Sequence, residues 1–220
     1  MHRKIIDISV GISPETIVYP GDPETVLESV SSIDRDGYAV SRVSFGTHTG
    51  THVDAPSHII EGGVSIDKIP IESFVGEALV LDLSHAGLEI SSDDLAFAFE
   101  DSGGSGANDA QVLLIKTCTP VHMNADEGPL PAQKCLQSGA GSWIMENGFR
   151  TVGVDTLSVD LSSSLDNHRL FLENGVIIVE NLDLTGVDAG LYHFICLPLK
   201  LEKCEAAPAR VILIEKGFFM

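Results

Sequence analysis

The sequence lacks any apolar run of the roughly 20 residues that a membrane-spanning helix requires. Its N-terminus, residues 1–7, carries two basic side chains, but Asp7 interrupts the short apolar stretch that follows them. A secretory signal peptide needs a longer apolar segment after its basic residues. We therefore expect no export signal, no membrane span and no membrane partner.

Basic residues are scarce. Thirteen Lys and Arg stand against 32 Asp and Glu, which gives a formal net charge of −19. A surface this acidic repels phosphate backbones, so we expect no nucleic-acid partner. The charge alone does not indicate a metal site, because most surface carboxylates are simply solvated.

Closely spaced cysteine pairs are absent as well. The four cysteines, Cys118, Cys135, Cys196 and Cys204, include no Cys-x-x-Cys pair. Cysteines in this arrangement are typical of reduced thiols in a protein of the cytoplasm, where disulfides are rare. Together with the missing export signal, this predicts a cytoplasmic protein.

The sequence does contain enough apolar material for one packed core, with 44% hydrophobic residues in a chain of 220. Short apolar segments predict buried strands, and they outnumber the helical segments. They cover residues 77–83, 111–116, 151–155, 176–179, 197–201 and 210–214. The predicted fold class is α/β, a single domain over residues 1–220 with a mixed β-sheet or barrel-like core and peripheral helices.

Two helix starts can be read from capping residues. Ser91 or Ser92 can cap a helix that carries two Asp in its first turn. Asp166 is predicted to cap a short helix over residues 167–173, ended by the following Asn-Gly. His168 then lies near the start of that helix.

A cluster of metal-binding side chains lies within the segment His48-Thr-Gly-Thr-His52-Val-Asp54-Ala-Pro-Ser-His58. Glycine, proline and β-branched residues there argue against a helix. In a straight strand His48 and His52 would be about 13 Å apart. That is too far for two bonds of about 2.1 Å to one zinc ion. The chain must therefore bend if both histidines bind one ion, and Gly46 and Gly50 permit a bend.

A second pair of candidates lies far along the chain. Glu180 ends the apolar run 176–179, where an unpaired buried carboxylate would be costly. A metal ion, with His168 as a further ligand, is one partner for it. A salt bridge or a solvated strand end is an equally good reading of this pair taken alone.

These residues together resemble a known family. The pattern His48-x-Gly-Thr-His52-x-Asp54-x-Pro56-x-His58 is similar to the signature of the cyclase family of metal hydrolases, which includes bacterial kynurenine formamidases and isatin hydrolases. The similarity extends over residues 19–22, 153–160, 168–182, 198–201 and 208–210, and so over nearly the whole chain. One departure is residues 203–207, which stand where the family has a glycine-rich segment.

The resemblance implies roles for these residues and a cyclase-type swivelling β/α fold. His48, His52, Asp54, His168 and Glu180 would hold one or two divalent ions, with His58 as the catalytic acid/base rather than a ligand. Mixed His and carboxylate ligands suit Zn²⁺, which we favour, or Mn²⁺. His58 remains open to the alternative of an ordinary third ligand.

The function that follows is hydrolysis of a small-molecule amide by metal-activated water, with His58 as acid/base. An aryl formamide such as N-formyl-kynurenine is the leading substrate. The alternatives are a hydrolase of an isatin-like lactam or a lactone, and a non-catalytic metal or small-molecule binding protein on the same scaffold. The resemblance also implies a homo-oligomer, a dimer or a tetramer.

Overall fold

The computed structural model describes residues 4–102, 109–118, 132–160 and 165–216. The strands in these residues are β1 (Ile5–Asp7), β2 (Val26–Ser31), β3 (Val40–Ser44), β4 (His52–Asp54), β5 (Val75–Asp82), β6 (Glu89–Ile90), β7 (Val112–Lys116), β8 (Cys135–Leu136), β9 (Thr151–Val154), β10 (Ile177–Glu180), β11 (Gly190–Pro198) and β12 (Ala206–Glu215). The α-helices are α1 (Ile33–Asp36), α2 (Ser92–Asp101), α3 (Ala140–Glu146) and α4 (Asp166–Glu173). Short 3₁₀ helices cover Pro56–His58, Ile66–Lys68 and Ile71–Phe74.

The main sheet closes on itself. Its order is β12, β11, β5, β7, β9, β10 and β4, and β4 pairs again with β12, while β1 adds to the side of β12. Strands β5, β7, β9 and β10 run parallel to one another, and the other pairings are antiparallel. Helices α2, α3 and α4 lie in the connections between the parallel strands, as crossovers require. The predicted α/β class with a mixed, barrel-like sheet is confirmed.

Alternation along the strands separates two apolar clusters. Ala78 and Val80 of β5 point into the barrel, whereas Leu79 and Leu81 belong to the cluster that packs beneath the helices. Successive side chains of a strand point to opposite faces, so one strand serves both cores. The strands next to the helices are therefore apolar on both faces, which explains the unbroken apolar runs in the sequence.

The two expected helix caps have different outcomes. Ser91 caps α2 as expected, because its hydroxyl accepts a hydrogen bond from the Asp94 backbone N–H and its own N–H donates to the Asp94 carboxylate. The prediction that Asp166 caps α4 is wrong. Asp166 is the first helical residue, and the backbone N–H groups of Asn167 and His168 donate to Asp160 instead.

Strands β2 and β3 form a separate two-stranded sheet. Within the described ranges, no helix combines the length and apolarity that crossing a bilayer demands. The first three residues of the N-terminal segment, which bear on the expectation of no export signal, lie outside the described residues.

Candidate metal centre

The register between β4 and β10 brings residues far apart in sequence side by side. Asp54 lies opposite Ile178, and His52 lies opposite Glu180. Val53 of β4 belongs to the cluster inside the barrel, so His52 and Asp54 point outward by alternation. Glu180 points to the same outer side, and all three side chains are buried.

His48 reaches this group through a turn. Gly50 has a φ of +64°, a conformation that glycine adopts readily. The turn places Nδ1 of His48 2.9 Å from Oδ1 of Asp54, and the ring centroids of His48 and His52 are 4.9 Å apart. The expected bend between the two histidines is therefore present, at Gly50.

His168 enters from α4. Its Nε2 lies 3.4 Å from Oδ2 of Asp54 and 3.3 Å from Oε1 of Glu180. Asp160, in the loop after β9, receives the backbone N–H of His168 at 3.0 Å and contacts the ring Nδ1 at 2.7 Å. Asp160 thus holds both the helix start and the imidazole.

In each of His48, His52 and His168, one ring nitrogen faces the carboxylates of the site. The other ring nitrogen has a polar partner nearby. Nδ1 of His52 lies 2.9 Å from the Gly50 carbonyl, and Nδ1 of His168 contacts Asp160. Nε2 of His48 lies 3.8 Å from Glu205, whose carboxylate accepts a hydrogen bond from Thr47. Histidines that bind metals show this arrangement, because the outer partner selects the tautomer and orients the ring.

Several buried polar atoms at the centre of the group lack a hydrogen bond. Among the described residues, Nε2 of His52 and both carboxylate oxygens of Asp54 have no hydrogen-bond partner. Orphaned buried polar atoms are rare in native proteins and costly. A divalent cation between imidazole nitrogens and carboxylate oxygens would satisfy all three, so the donor set fits a metal ion.

The electrostatics lead to the same conclusion. Burial lowers the pKa of His52, but the neighbouring carboxylates of Asp54 and Glu180 outweigh burial and raise it to about 10. For His168, burial is likewise outweighed by Asp160, Asp54 and Glu180, and the pKa rises to about 12. Two buried carboxylates therefore attract positive charge into this site, which protons on the imidazoles or a metal ion can supply.

His58 lies at the end of the 3₁₀ helix Pro56–His58, and its ring centroid is 4.3 Å from that of His48. Burial lowers the pKa of His58, while Asp54 opposes that shift. Two groups of side chains could each hold a metal ion, and within each group the ligand atoms lie within 4.8 Å of one another. One group is His48, Asp54 and His58, and the other is His52, Asp54 and Glu180. This geometry permits His58 to act either as a ligand or as an acid/base beside the ion.

A cavity of about 330 Å³ opens on the cluster. Its lining residues are Tyr19, Asp22, His48, His52, His58, Leu157, Ser158, Leu165, His168, Glu180 and Asn181. The volume lies at the small end of the range for small-molecule pockets. All six residues singled out in the sequence thus come together here: five line the cavity, and Asp54 is buried behind it.

Two residues of the site were given no role by the sequence analysis. Asp160 ends the segment 153–160 and Glu205 belongs to the segment that departs from the family pattern, but neither has metal-ligand spacing to another residue. Ala55 N–H donates to the Glu205 carbonyl at 2.8 Å, so the pairing of β4 with β12 brings Glu205 to His48. The contact between Glu205 and His48 could not be predicted from the sequence, because it depends on the closure of the barrel.

Comparisons with known proteins agree with this geometry. The family model described as "Putative cyclase" matches residues 6–161. A kynurenine formamidase from Salinibacter ruber is 36% identical over 213 residues, 95% of this chain and 96% of that protein. One from Bordetella avium is 30% identical, over 98% of this chain and 100% of that protein.

Solved structures are similar over the same length. A structure described as a potential metal-dependent hydrolase with cyclase activity has a TM-score of 0.79 at 29% identity, covering 98% of this chain and 99% of that one. Isatin hydrolase A from Labrenzia aggregata has a TM-score of 0.79 at 26% identity, covering 96% of this chain and 93% of the other.

Proposed function

This chain belongs to the cyclase family, and on that premise we propose that it is a metal-dependent hydrolase of small-molecule amides. An aryl formamide such as N-formyl-kynurenine is the leading substrate. The observation that carries the proposal is the buried group of His52, Asp54 and Glu180 beside a cavity of small-molecule size. Among the described residues, Nε2 of His52 and both oxygens of Asp54 are buried without a hydrogen-bond partner. The kynurenine formamidase relatives, at 30–36% identity, support the formamide.

The proposed ligands are His48, His52, Asp54, His168 and Glu180. Asp54 has one oxygen toward each side of the group, since Oδ1 is nearest to His48 and His52 while Oδ2 faces His168. A carboxylate placed in this way can bridge two ions, so the arrangement supports a pair of ions as well as a single one. We favour Zn²⁺ over Mn²⁺ because three of the five proposed ligand residues are histidines.

A divalent ion held by these residues would supply two kinds of chemistry, a lower pKa for a water molecule, towards about 7, and polarisation of a substrate carbonyl. His58 supplies the proton transfer, because its ring lines the cavity without belonging to the β4–β10 pair. It takes a proton from the attacking water and returns it to the leaving nitrogen, a task suited to an imidazole. Leu157 and Leu165 offer apolar contacts to an aryl group in the cavity.

Further properties are part of the same proposal. Residues 1–220 form one domain, the protein is cytoplasmic, and it assembles as a homo-oligomer. A lactam or a lactone is the second candidate substrate, supported by the similarity to isatin hydrolase A. A binding protein without catalysis would keep the ligands but would not need His58.

A substrate panel tests the proposal. Purified protein, stripped with a chelator and then reloaded with Zn²⁺ or Mn²⁺, is assayed against aryl formamides, isatin-like lactams and lactones. We expect formate release from the formamides only after reloading. Hydrolysis by protein shown to be metal-free by elemental analysis would overturn the metal dependence. A metal-loaded protein that hydrolyses no member of the panel would instead favour the binding protein.

A further inference from the structure

The end of strand β10 breaks the regular alternation of its side chains. Val179 and Leu182 both belong to the cluster inside the barrel. In a regular strand, residues three positions apart face opposite sides of the sheet. Between the two apolar residues, Glu180 points outward to the metal site, and the next residue, Asn181, also lines the cavity. The alternation is therefore broken at Asn181, and two consecutive residues contribute to the cavity.

The backbone of Asn181 has the conformation that this break requires. Its φ is +57°, in the left-handed region that residues with a side chain adopt uncommonly. Its N–H donates to the Thr156 carbonyl at 3.0 Å, and its carbonyl accepts a hydrogen bond from the Thr51 hydroxyl. Thr51 in turn accepts the backbone N–H of Val10 at 2.8 Å. Residues held in this way in a strained conformation cluster at sites that bind ligands.

The side chain of Asn181 is buried, and its amide is uncommitted. The residue is 6% exposed and lines the cavity. In the part of the chain that the structure describes, its hydrogen bonds all use its backbone N–H and C=O. A buried amide without a hydrogen-bond partner is costly, and native proteins contain few of them. A molecule bound in the cavity would supply the missing partner.

The cavity is richer in hydrogen-bond acceptors than in donors. Asp22 and Glu180 line it with carboxylates, which only accept hydrogen bonds when they are ionised. Its lining, as far as the structure describes it, includes neither Lys nor Arg. The NH₂ group of Asn181 offers two N–H donors. Donor groups of a substrate therefore have acceptors available in the cavity, whereas a substrate oxygen needs a donor such as Asn181.

We propose that Asn181 binds a second carbonyl of the substrate, a ketone that the aryl ring carries ortho to the formamide. This inference rests on the proposed formamide hydrolysis and narrows its substrate class to ortho-acyl formanilides. In that proposal the formamide carbonyl is the one polarised at the metal centre, which leaves the Asn181 amide for another acceptor. A ketone oxygen has two lone pairs, so it can accept the Asn181 N–H and the substrate's own amide N–H together.

The position of Asn181 fits this pairing. It follows Glu180 directly, and the Cα atoms of consecutive residues are about 3.8 Å apart. The formamide and the ketone are likewise carried on adjacent ring atoms. One residue at the metal centre and its neighbour in the chain can therefore serve the two substituents of one ring, while Leu157 and Leu165 offer apolar contacts to the ring itself.

The test compares two isomeric substrates, 2-formamidoacetophenone and 4-formamidoacetophenone. Both carry a ketone that withdraws electrons from the ring, but only the ortho ketone lies beside the formamide. We expect the metal-loaded wild type to favour the ortho isomer in kcat/KM by at least about 10-fold. Asn181→Gly removes the amide and keeps the backbone turn, because glycine adopts a positive φ readily. We expect it to lower the ortho-to-para ratio about 10-fold, as for one lost hydrogen bond.

Two further variants separate the amide from other roles of Asn181. Asn181→Asp keeps the shape of the side chain but replaces its donors by an acceptor, so the ratio should fall at least as far. Lys203→Gly is the matched control, because Lys203 also has a positive φ, +64°, but does not line the cavity. Its ratio should equal that of the wild type. If Asn181→Gly loses metal and keeps the wild-type ratio, Asn181 acts by positioning Glu180 and the proposal is wrong.

Binding of the two amines tests the same contact without turnover. By calorimetry we expect the wild type to bind 2-aminoacetophenone at least about 10-fold more tightly than 4-aminoacetophenone, and Asn181→Gly to remove most of that difference. If the wild type hydrolyses neither formamide, the proposed activity fails, and calorimetry alone then decides whether Asn181 binds the ketone. Equal affinities of the wild type for the two amines, or no binding of the ortho amine, would overturn the proposal.

Discussion

The two faces of the β4–β10 pair are equally buried and chemically opposite. Val53 and Val179 point into the barrel with 0% exposure, while His52, Asp54 and Glu180 point outward with at most 4%. The inward atoms need only contact with other apolar atoms, whereas the outward ones include polar atoms without a hydrogen bond. Burial therefore does not distinguish the core from the site. Buried polar atoms without a hydrogen-bond partner do distinguish them.

The largest expected effect comes from the outward face. Asp54→Asn keeps the side-chain shape but removes the charge that faces three imidazoles. We expect the protein to lose its metal, and its activity to fall by at least about 10³-fold, because water loses its activating ion. Elemental analysis and an assay on the same sample measure both losses.

Asp155 is the matched control for Asp54, since it is also a buried aspartate. Its carboxylate accepts hydrogen bonds from the backbone N–H groups of Thr117 and Cys118 and from the Thr117 hydroxyl. We expect Asp155→Asn to lower stability but to keep the metal. Loss of metal from both variants to the same degree would contradict this distinction. The presence of hydrogen-bond donors would then not separate a structural buried carboxylate from a metal-binding one.

The next prediction distinguishes a residue that binds the metal from one that transfers a proton. His58→Ala is expected to keep most of the metal and to lose a factor of about 10² to 10⁴ in turnover, as for a removed acid/base group. His52→Ala is expected to lose metal. If His58→Ala empties the site as fully as His52→Ala does, His58 is a ligand and the proposed role is wrong.

A smaller effect is expected from the outer partners of two histidines. Asp160 contacts His168 at 2.7 Å and is buried, whereas the side chain of Glu205 is 40% exposed and lies 3.8 Å from His48. We expect Asp160→Asn to weaken metal affinity by about 10- to 100-fold and Glu205→Gln by less. Competition titration with a chromophoric chelator measures both, and the reverse order would contradict this reading of the geometry.

The smallest effect on metal binding and turnover is expected from a substitution on the inward face of the β4–β10 pair. Val179→Ala leaves a cavity in the barrel, which should cost about 2 kcal/mol of unfolding free energy. In a chain of this length that lowers Tm by about 4–8 °C. Metal content and turnover per folded molecule should stay at wild-type values. A variant that loses metal instead would show that the two faces are coupled.

Much of this site could be predicted from the sequence, because several of its residues lie close together along the chain. His48, His52, Asp54 and His58 lie within eleven positions, and Gly50 supplies the turn that the spacing requires. Glu180 could be singled out because a carboxylate ending an apolar strand needs a partner. The short apolar segments likewise indicated a mixed sheet with outer helices.

Other features depend on contacts that no local pattern reveals. Asp160 replaces the predicted Asp166 as the acceptor at the start of α4, because the chain after β9 folds back onto the helix start. Glu205 reaches His48 only because β4 pairs with β12 and closes the barrel. Strand β2 was not predicted, because within the part of the chain that the structure describes it pairs with β3 alone and adds no side chain to either apolar cluster.

Anomalous diffraction at the zinc edge, from crystals of zinc-loaded wild-type protein, tests the metal centre most directly. We expect one or two peaks between β4, β10 and α4, with carboxylate oxygens of Asp54 and Glu180 at about 2.0–2.2 Å from a peak and imidazole nitrogens at about 2.0–2.1 Å. A zinc-loaded crystal with no peak there, or with a Glu180 carboxylate more than about 8 Å from any ion bound by His48 and His52, far outside bonding distance, would contradict it.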